Sequence, residues 1–155
     1  MEYLYRWENA SEKDGSSTEH RLFSRHELTQ FILNSENEDI YASHQQRLMA
    51  VDGDRTVGFA ELYDFDPYNH HAGFGVLVDV QLRGQGYSIA LMEALEAYCR
   101  RELQLHVLWC DVAVSNLASR AMLKHCGYSE IGVRKDWLYT DSGYEDAVAV
   151  EKVLH

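Results

Sequence analysis

The sequence predicts one α+β domain: a mixed, mostly antiparallel sheet flanked by helices. Three observations predict it. An apolar run, Val76-Leu77-Val78, leads through a glycine-bearing turn straight into an amphipathic helix. Two strand-like runs meet at Asp52-Gly53-Asp54, a hairpin signal. The stretch His106–Val114 alternates, with Leu108, Cys110, Val112 and Val114 on one side. The chain has 155 residues, 46% of them hydrophobic, which suits a single globular domain over 1–155.

In order along the chain, Tyr3–Asn9 reads as helical and Ala10–Arg21 as a polar, turn-rich loop. Ser24 and Glu27 form a capping box for a helix reaching about Ser35, with Leu28, Phe31 and Ile32 on its apolar face. Gln46–Val51 and Thr56–Asp64 are the hairpin strands. Pro67–His71 turns, and Ala72–Asp79 is the next strand. A helix then runs from about Gly86 to Leu103. Leu91, Leu95 and Tyr98 recur at helical spacing, and Glu96 with Arg100 forms an i,i+4 pair on the wet side. After the His106–Val114 strand, Asn116 caps a short helix that Gly127 ends. Tyr128–Val133 and Trp137–Tyr139 are extended, Asp141-Ser142-Gly143 turns, and Tyr144–Leu154 is the last strand.

Composition excludes several functions. The net charge of −11, from 14 basic and 25 acidic residues, opposes a nucleic-acid partner, which needs a basic face. It suits a cationic substrate, and it equally serves solubility. No apolar run reaches membrane-spanning length, and Met1-Glu2-Tyr3 opens no signal peptide, so a cytoplasmic protein without a membrane partner is expected. Cys99, Cys110 and Cys126 lack CxxC spacing and read as buried, reduced thiols. The histidines show no ligand spacing, and His70-His71 reads as loop surface, so no metal is expected.

The turn itself, Gln81-Leu82-Arg83-Gly84-Gln85-Gly86, has the makings of a phosphate cradle. Glycines let the backbone approach a ligand, and the following helix start offers amides and the positive end of its dipole. The string lacks the GxxxxGK[ST] of a triphosphate loop. It also lacks the third small residue of a dinucleotide fingerprint, since Ile89 stands there. Q/R-x-x-G-x-G/A is filled by Gln81, Gly84 and Gly86.

That pattern resembles the coenzyme A pyrophosphate loop of the GNAT (GCN5-related N-acetyltransferase) superfamily. Val57–Leu62 (VGFAEL), the Asn116 loop and helix with Gly127-Tyr128, and the terminal hairpin sit at matching spacings, and YRWEN matches more loosely. Within the superfamily, NLASRAMLKHCGY and KDWLYTDSGYEDAVAV look like the branch of spermidine and ribosomal-protein N-terminal acetyltransferases. The resemblance implies the acetyltransferase fold with a splayed central pair of strands, and acetyl-CoA as co-substrate. The acceptor is a primary amine, and the charge favours a small cationic one such as a polyamine. A peptide N-terminus is the alternative acceptor, and a catalytically weak coenzyme A-binding module the alternative function.

Residue roles follow from the resemblance. Val76, Leu77 and Val78 line the splay and pair with the pantetheine arm. Arg83, Gly84, Gln85, Gly86, Tyr87 and Ser88 hold the pyrophosphate through their amides, and Asn116 contacts the arm as well as capping its helix. Glu61 is the expected base, either directly or through water, or else a salt-bridged strand carboxylate. Ser119 stands where the ribosomal-protein branch has a Ser, and either relays a proton to sulfur or only bonds the cofactor. Trp7, Glu8, Asp64 and Tyr139 are expected near the acceptor. Three departures stand out. The first strand of the fold is expected to be absent ahead of YRWEN, which would leave an edge for a partner such as a second copy. Leu123 replaces the usual Tyr acid, with Tyr128 and Tyr139 as reserve donors. Gly73 replaces a frequent Glu.

Overall fold

A computed structural model describes residues 39–155 of the chain. The expected N-terminal helices and loop, together with Trp7 and Glu8, lie outside the described residues. A four-residue helix α1 (Ile40–Ser43) opens the described part, capped by Asp39, whose carboxylate accepts from the Ala42 amide at 2.9 Å. There follow β1 (Gln46–Asp52), β2 (Arg55–Asp66), β3 (His71–Val78), a 3-10 turn (Val80–Leu82) and α2 (Tyr87–Arg101). The chain ends with β4 (Val107–Ala113), α3 (Leu117–His125), β5 (Ser129–Thr140) and β6 (Gly143–Val153).

The six strands form one sheet in the order β1-β2-β3-β4-β6-β5. Every neighbouring pair is antiparallel except β3–β4, which α2 joins as a crossover. That parallel pair has only three rungs: His71–Val107, Ala72–Leu108 and Gly73–Trp109. Beyond Gly73 and Trp109 the strands part, which is the splayed pair expected from the sequence. Two half-sheets of described strands, β1-β2-β3 and β4-β6-β5, thus meet at a short seam.

The helical spacing of Leu91, Met92, Leu95 and Cys99 brings these side chains to one face of α2, which lies over β2 and β3. They share a core with Ala60, Leu62, Phe74, Leu108 and Val150. Met92, Cys99 and Leu108 are wholly enclosed. Each such side chain adds about 1.5–3 kcal/mol by leaving water.

Three expectations are corrected. Glu96 is not on the wet side with Arg100. It is 7% exposed and accepts from Lys152 Nζ at 2.8 Å, and Lys152 also donates to the Cys126 carbonyl at 2.7 Å. A buried carboxylate requires such a cation. Arg100 instead donates to the His155 carbonyl. The two short C-terminal runs are one strand, β5, with an irregularity between Arg134 and Leu138 where Asp136 takes φ +49°. Cys126 is only partly buried, whereas burial pushes the Cys99 and Cys110 thiols up to about 12.

Candidate functional site

β3 ends at Val78 and delivers the chain to the cradle. The buried Asp79 carboxylate accepts from the Gln81 amide at 3.0 Å and shapes the 3-10 turn. Arg83 is extended, with its Nε donating to the Val78 carbonyl at 3.4 Å. Gly84 (φ +76°) and Gly86 (φ +85°) then adopt the left-handed conformation that favours glycine, and nothing stands within 4 Å of where their side chains would be. Residues 83–86 are exposed, and α2 starts at once without a side-chain cap and without an acidic residue in its first turn. The turn therefore presents unblocked backbone at a positive helix end, the surroundings a diphosphate requires. The Tyr87 hydroxyl is engaged away from the turn, donating to Asp52 Oδ2 at 2.7 Å. Ser88 is half-buried in the same first turn.

The splay begins where the cradle's strand passes its last rung. Val76, Leu77 and Val78 pair with Ala60, Phe59 and Gly58 of β2 on one side. Toward β4 they have no rung. Their free lip is a strand edge, to which an extended ligand arm can add hydrogen bonds. Across the gap, β4 leads to Asn116, whose side chain accepts from the Ser119 amide at 3.2 Å as the cap of α3. Asn116 and Ser119, both partly buried, thus stand together on the far lip. Leu123 points into the core at 3% exposure. Tyr128 also lies in the core, its ring tilted against Phe74. Burial, and then the Glu96 charge, push its hydroxyl far up.

Glu61 sits opposite Arg47 on β1 and Gly75 on β3. Its Oε2 accepts from Arg47 at 2.6 Å, and Arg47 lies 4.3 Å over the Phe59 ring. Oε1 is the oxygen turned toward Gly75, beside the gap. The sheet face that carries Glu61 also carries Tyr63, Trp109 and Asp111. Sequence reasoning missed these three. Their signal was the pair of bare positions, Gly73 and Gly75, facing Tyr63 and Glu61 across β2–β3. Asp111 accepts from Arg134 Nε at 2.9 Å, which ties β4 to β5. Asp64 is exposed with φ +48°, in the β2–β3 irregularity between Tyr63 and Asp66. Tyr139 is exposed on the β5–β6 hairpin, edge-on to Tyr144 at 5.5 Å. Neither Asp64 nor Tyr139 bonds to Glu61 or to the cradle.

Among the described residues, no helix is long and apolar enough to cross a membrane. A spermidine N(1)-acetyltransferase of Vibrio cholerae is 23% identical over 71% of this chain and 64% of its own length. The ribosomal protein bS18 alanine N-acetyltransferase of Escherichia coli is 32% identical over 48% of this chain and 50% of its own. The match thus spans about half to two thirds of these relatives. In three dimensions, the Vibrio cholerae spermidine N-acetyltransferase solved with CoA and spermine aligns at a TM-score of 0.88 and 19% identity. The alignment covers 99% of this chain and 89% of that one. A ribosomal-protein-alanine N-acetyltransferase from Brucella melitensis aligns at 0.83 and 23% identity, over 99% and 93%. The fold is shared with these proteins, and the sequence profile of the acetyltransferase (GNAT) family matches residues 1–128. The chain belongs to that family.

Proposed function

We propose that the protein is an acetyl-CoA-dependent N-acetyltransferase acting on a primary amine, with a small cationic amine such as a polyamine as acceptor. The observation that carries this reading is the continuity of cradle and splay: the strand that ends at the open amides is the one whose lip is unpaired. The amides from Arg83 to Ser88 would hold the paired phosphates. Val76, Leu77, Val78 and Asn116 would line the arm, so that its sulfur end lies where β3 and β4 part. Acetyl-CoA, when bound, supplies the acetyl thioester.

Glu61 acts on the acceptor. An alkylamine is mostly protonated at neutral pH and must lose that proton before it can attack. Oε1, turned to the gap, receives the proton directly or through water, while Arg47 fixes the carboxylate through Oε2. The amine nitrogen then bonds the acetyl carbon and gives up its second proton to solvent, the carbon–sulfur bond breaks, and the electron pair stays on sulfur. Ser119 relays a proton to that sulfur from solvent, and a thiolate also departs without help because its thiol is acidic relative to an alcohol. Leu123 supplies no such proton. In this reading the acidic surface concentrates the cation, and Trp7, Glu8, Asp64 and Tyr139 shape its approach. The protein is a single cytoplasmic domain. A homodimer would use β1, the end of the described sheet, as its edge.

The 32% identity to a ribosomal-protein acetyltransferase favours a second acceptor, a peptide N-terminus. Incubation with acetyl-CoA and a panel of polyamines, peptides and aminoglycosides should release free thiol with one of these classes. Silence across the panel, with coenzyme A bound, leaves only a binding module. Glu61→Gln should lower kcat about 100-fold or more and leave coenzyme A affinity unchanged.

A further inference from the structure

At the point where β3 and β4 part, one side chain bridges both strands from a third. Tyr63 on β2 pairs with Gly73, the last β3 residue joined to β4. Its ring lies over Gly73, where any side chain on that residue would run into it. It continues to Trp109 on β4, the rung partner of Gly73, and meets that indole edge-on at 5.4 Å between centroids. The ring therefore crosses the root of the gap, on the face that also carries Glu61 and Asp111.

The polar groups there are unequally committed. Glu61 has Oε2 on Arg47, and Asp111 has Oδ1 on Arg134. None of the hydrogen bonds among the described residues involves the Tyr63 hydroxyl. Burial, with the charges of Asp111, Glu61 and Asp64 behind it, drives that hydroxyl well above the ordinary tyrosine range, so it stays a neutral O–H at any working pH. A neutral hydroxyl at the root of the gap accepts a hydrogen bond from an N–H without competing for its proton. The Tyr63 and Trp109 rings beside it offer an apolar, π-rich wall to an alkyl chain bearing a cation.

Resting on the transferase reading above, we propose that Tyr63 is the acceptor-positioning and specificity residue. Its hydroxyl oxygen accepts a hydrogen bond from one N–H of the incoming amine. The acceptor's carbon chain runs along the Tyr63–Trp109 wall. A primary amine so held keeps its second N–H hydrogen for Glu61 and its lone pair for the acetyl carbon. A secondary amine has one fewer hydrogen and adds bulk where the ring already fills the space over Gly73. The acceptor class is thus an unbranched primary alkylamine.

The test compares 1,4-diaminobutane with its N,N′-dimethyl derivative in wild type, Tyr63→Phe and Tyr63→Met, alongside coenzyme A binding and thermal unfolding. Phe keeps the ring on Gly73 and Trp109 and removes only the hydroxyl. The wild type should favour the primary amine by at least about tenfold in kcat/KM, a range set by one hydrogen bond. Tyr63→Phe should cut that preference to about twofold through the primary-amine KM and kcat, with coenzyme A affinity and Tm unchanged. Tyr63→Met should lose the preference too and raise the KM of both amines. A wild type that transfers to both amines equally, or a Phe variant that keeps the full preference, overturns the inference and leaves the transferase reading standing. A wild type that binds coenzyme A but acetylates neither these amines nor the wider panel overturns the transferase reading and this inference with it.

Discussion

Two helices start on opposite lips of the same gap, and they start differently. α3 begins sealed: Asn116 takes the Ser119 amide, Arg120 donates to the Val114 carbonyl at 2.9 Å, and the same guanidinium grips Glu130 of β5 through two bonds. α2 begins open: Gly86 offers no side-chain acceptor, and the nearest tether is Tyr87 to Asp52. A helix N-terminus that is already satisfied is a structural joint. One left unsatisfied beside two left-handed glycines is a place for an anion. In the proposed reading the open lip would carry the phosphates and the sealed one would border the arm.

The strongest way to break the contrast is to seal α2. Gly86→Asp supplies a cap oxygen and a negative charge at once. Coenzyme A affinity, read by calorimetry, should fall about a hundredfold, or ~2.7 kcal/mol, with a smaller loss of Tm because Asp is strained at φ +85°. Retained affinity would mean that the phosphates lie elsewhere. Opening α3 is the converse and weaker test. Asn116→Ala should cost about 1 kcal/mol of stability through the lost cap and several-fold in coenzyme A affinity. Asn116→Ser restores the cap alone, so stability returning without affinity separates Asn116 the ligand from Asn116 the cap.

The smallest effect concerns acid. Glu130 is held below the usual carboxylate range by Arg120, Asp146 by Lys135 and the Asp136 amide, and Asp66 by Asn69 and the Tyr68 amide. A carboxylate lowered in the folded state binds fewer protons there than in the unfolded chain. Its contribution is complete above about pH 4 and disappears as pH falls through the lowered value. Tm should therefore be flat near neutrality and drop below about pH 4, and Glu130→Gln should soften that drop slightly. A Tm that rises on acidification would refute the assignment.

What could be read in advance was what short stretches of chain decide. The hairpin at Asp52-Gly53-Asp54, the glycines of the cradle and the Asn116–Gly127 helix depend on backbone preferences within a few residues. All three stand where the spacing put them. Partners set by register were out of reach. Glu61 finds Arg47 and Glu96 finds Lys152 only once strands and helix have docked. The breadth of β5 was hidden for the same reason: Lys135 and Asp136 look like a break, yet both are fixed to Asp146 of β6. Tyr63 was missed as a site residue because its only signal is an absence on another strand, at Gly73, which register alone pairs with it.

The three rungs between β3 and β4 are a sparse stitch for two half-sheets. A ligand that lays its own amides along both lips would turn two leaves into one continuous surface. Occupancy and rigidity are then one property, and saturation to a hundred times the dissociation constant is worth about 2.7 kcal/mol to the folded state. Such a ligand would serve, for as long as it stays, as an added strand between the two leaves.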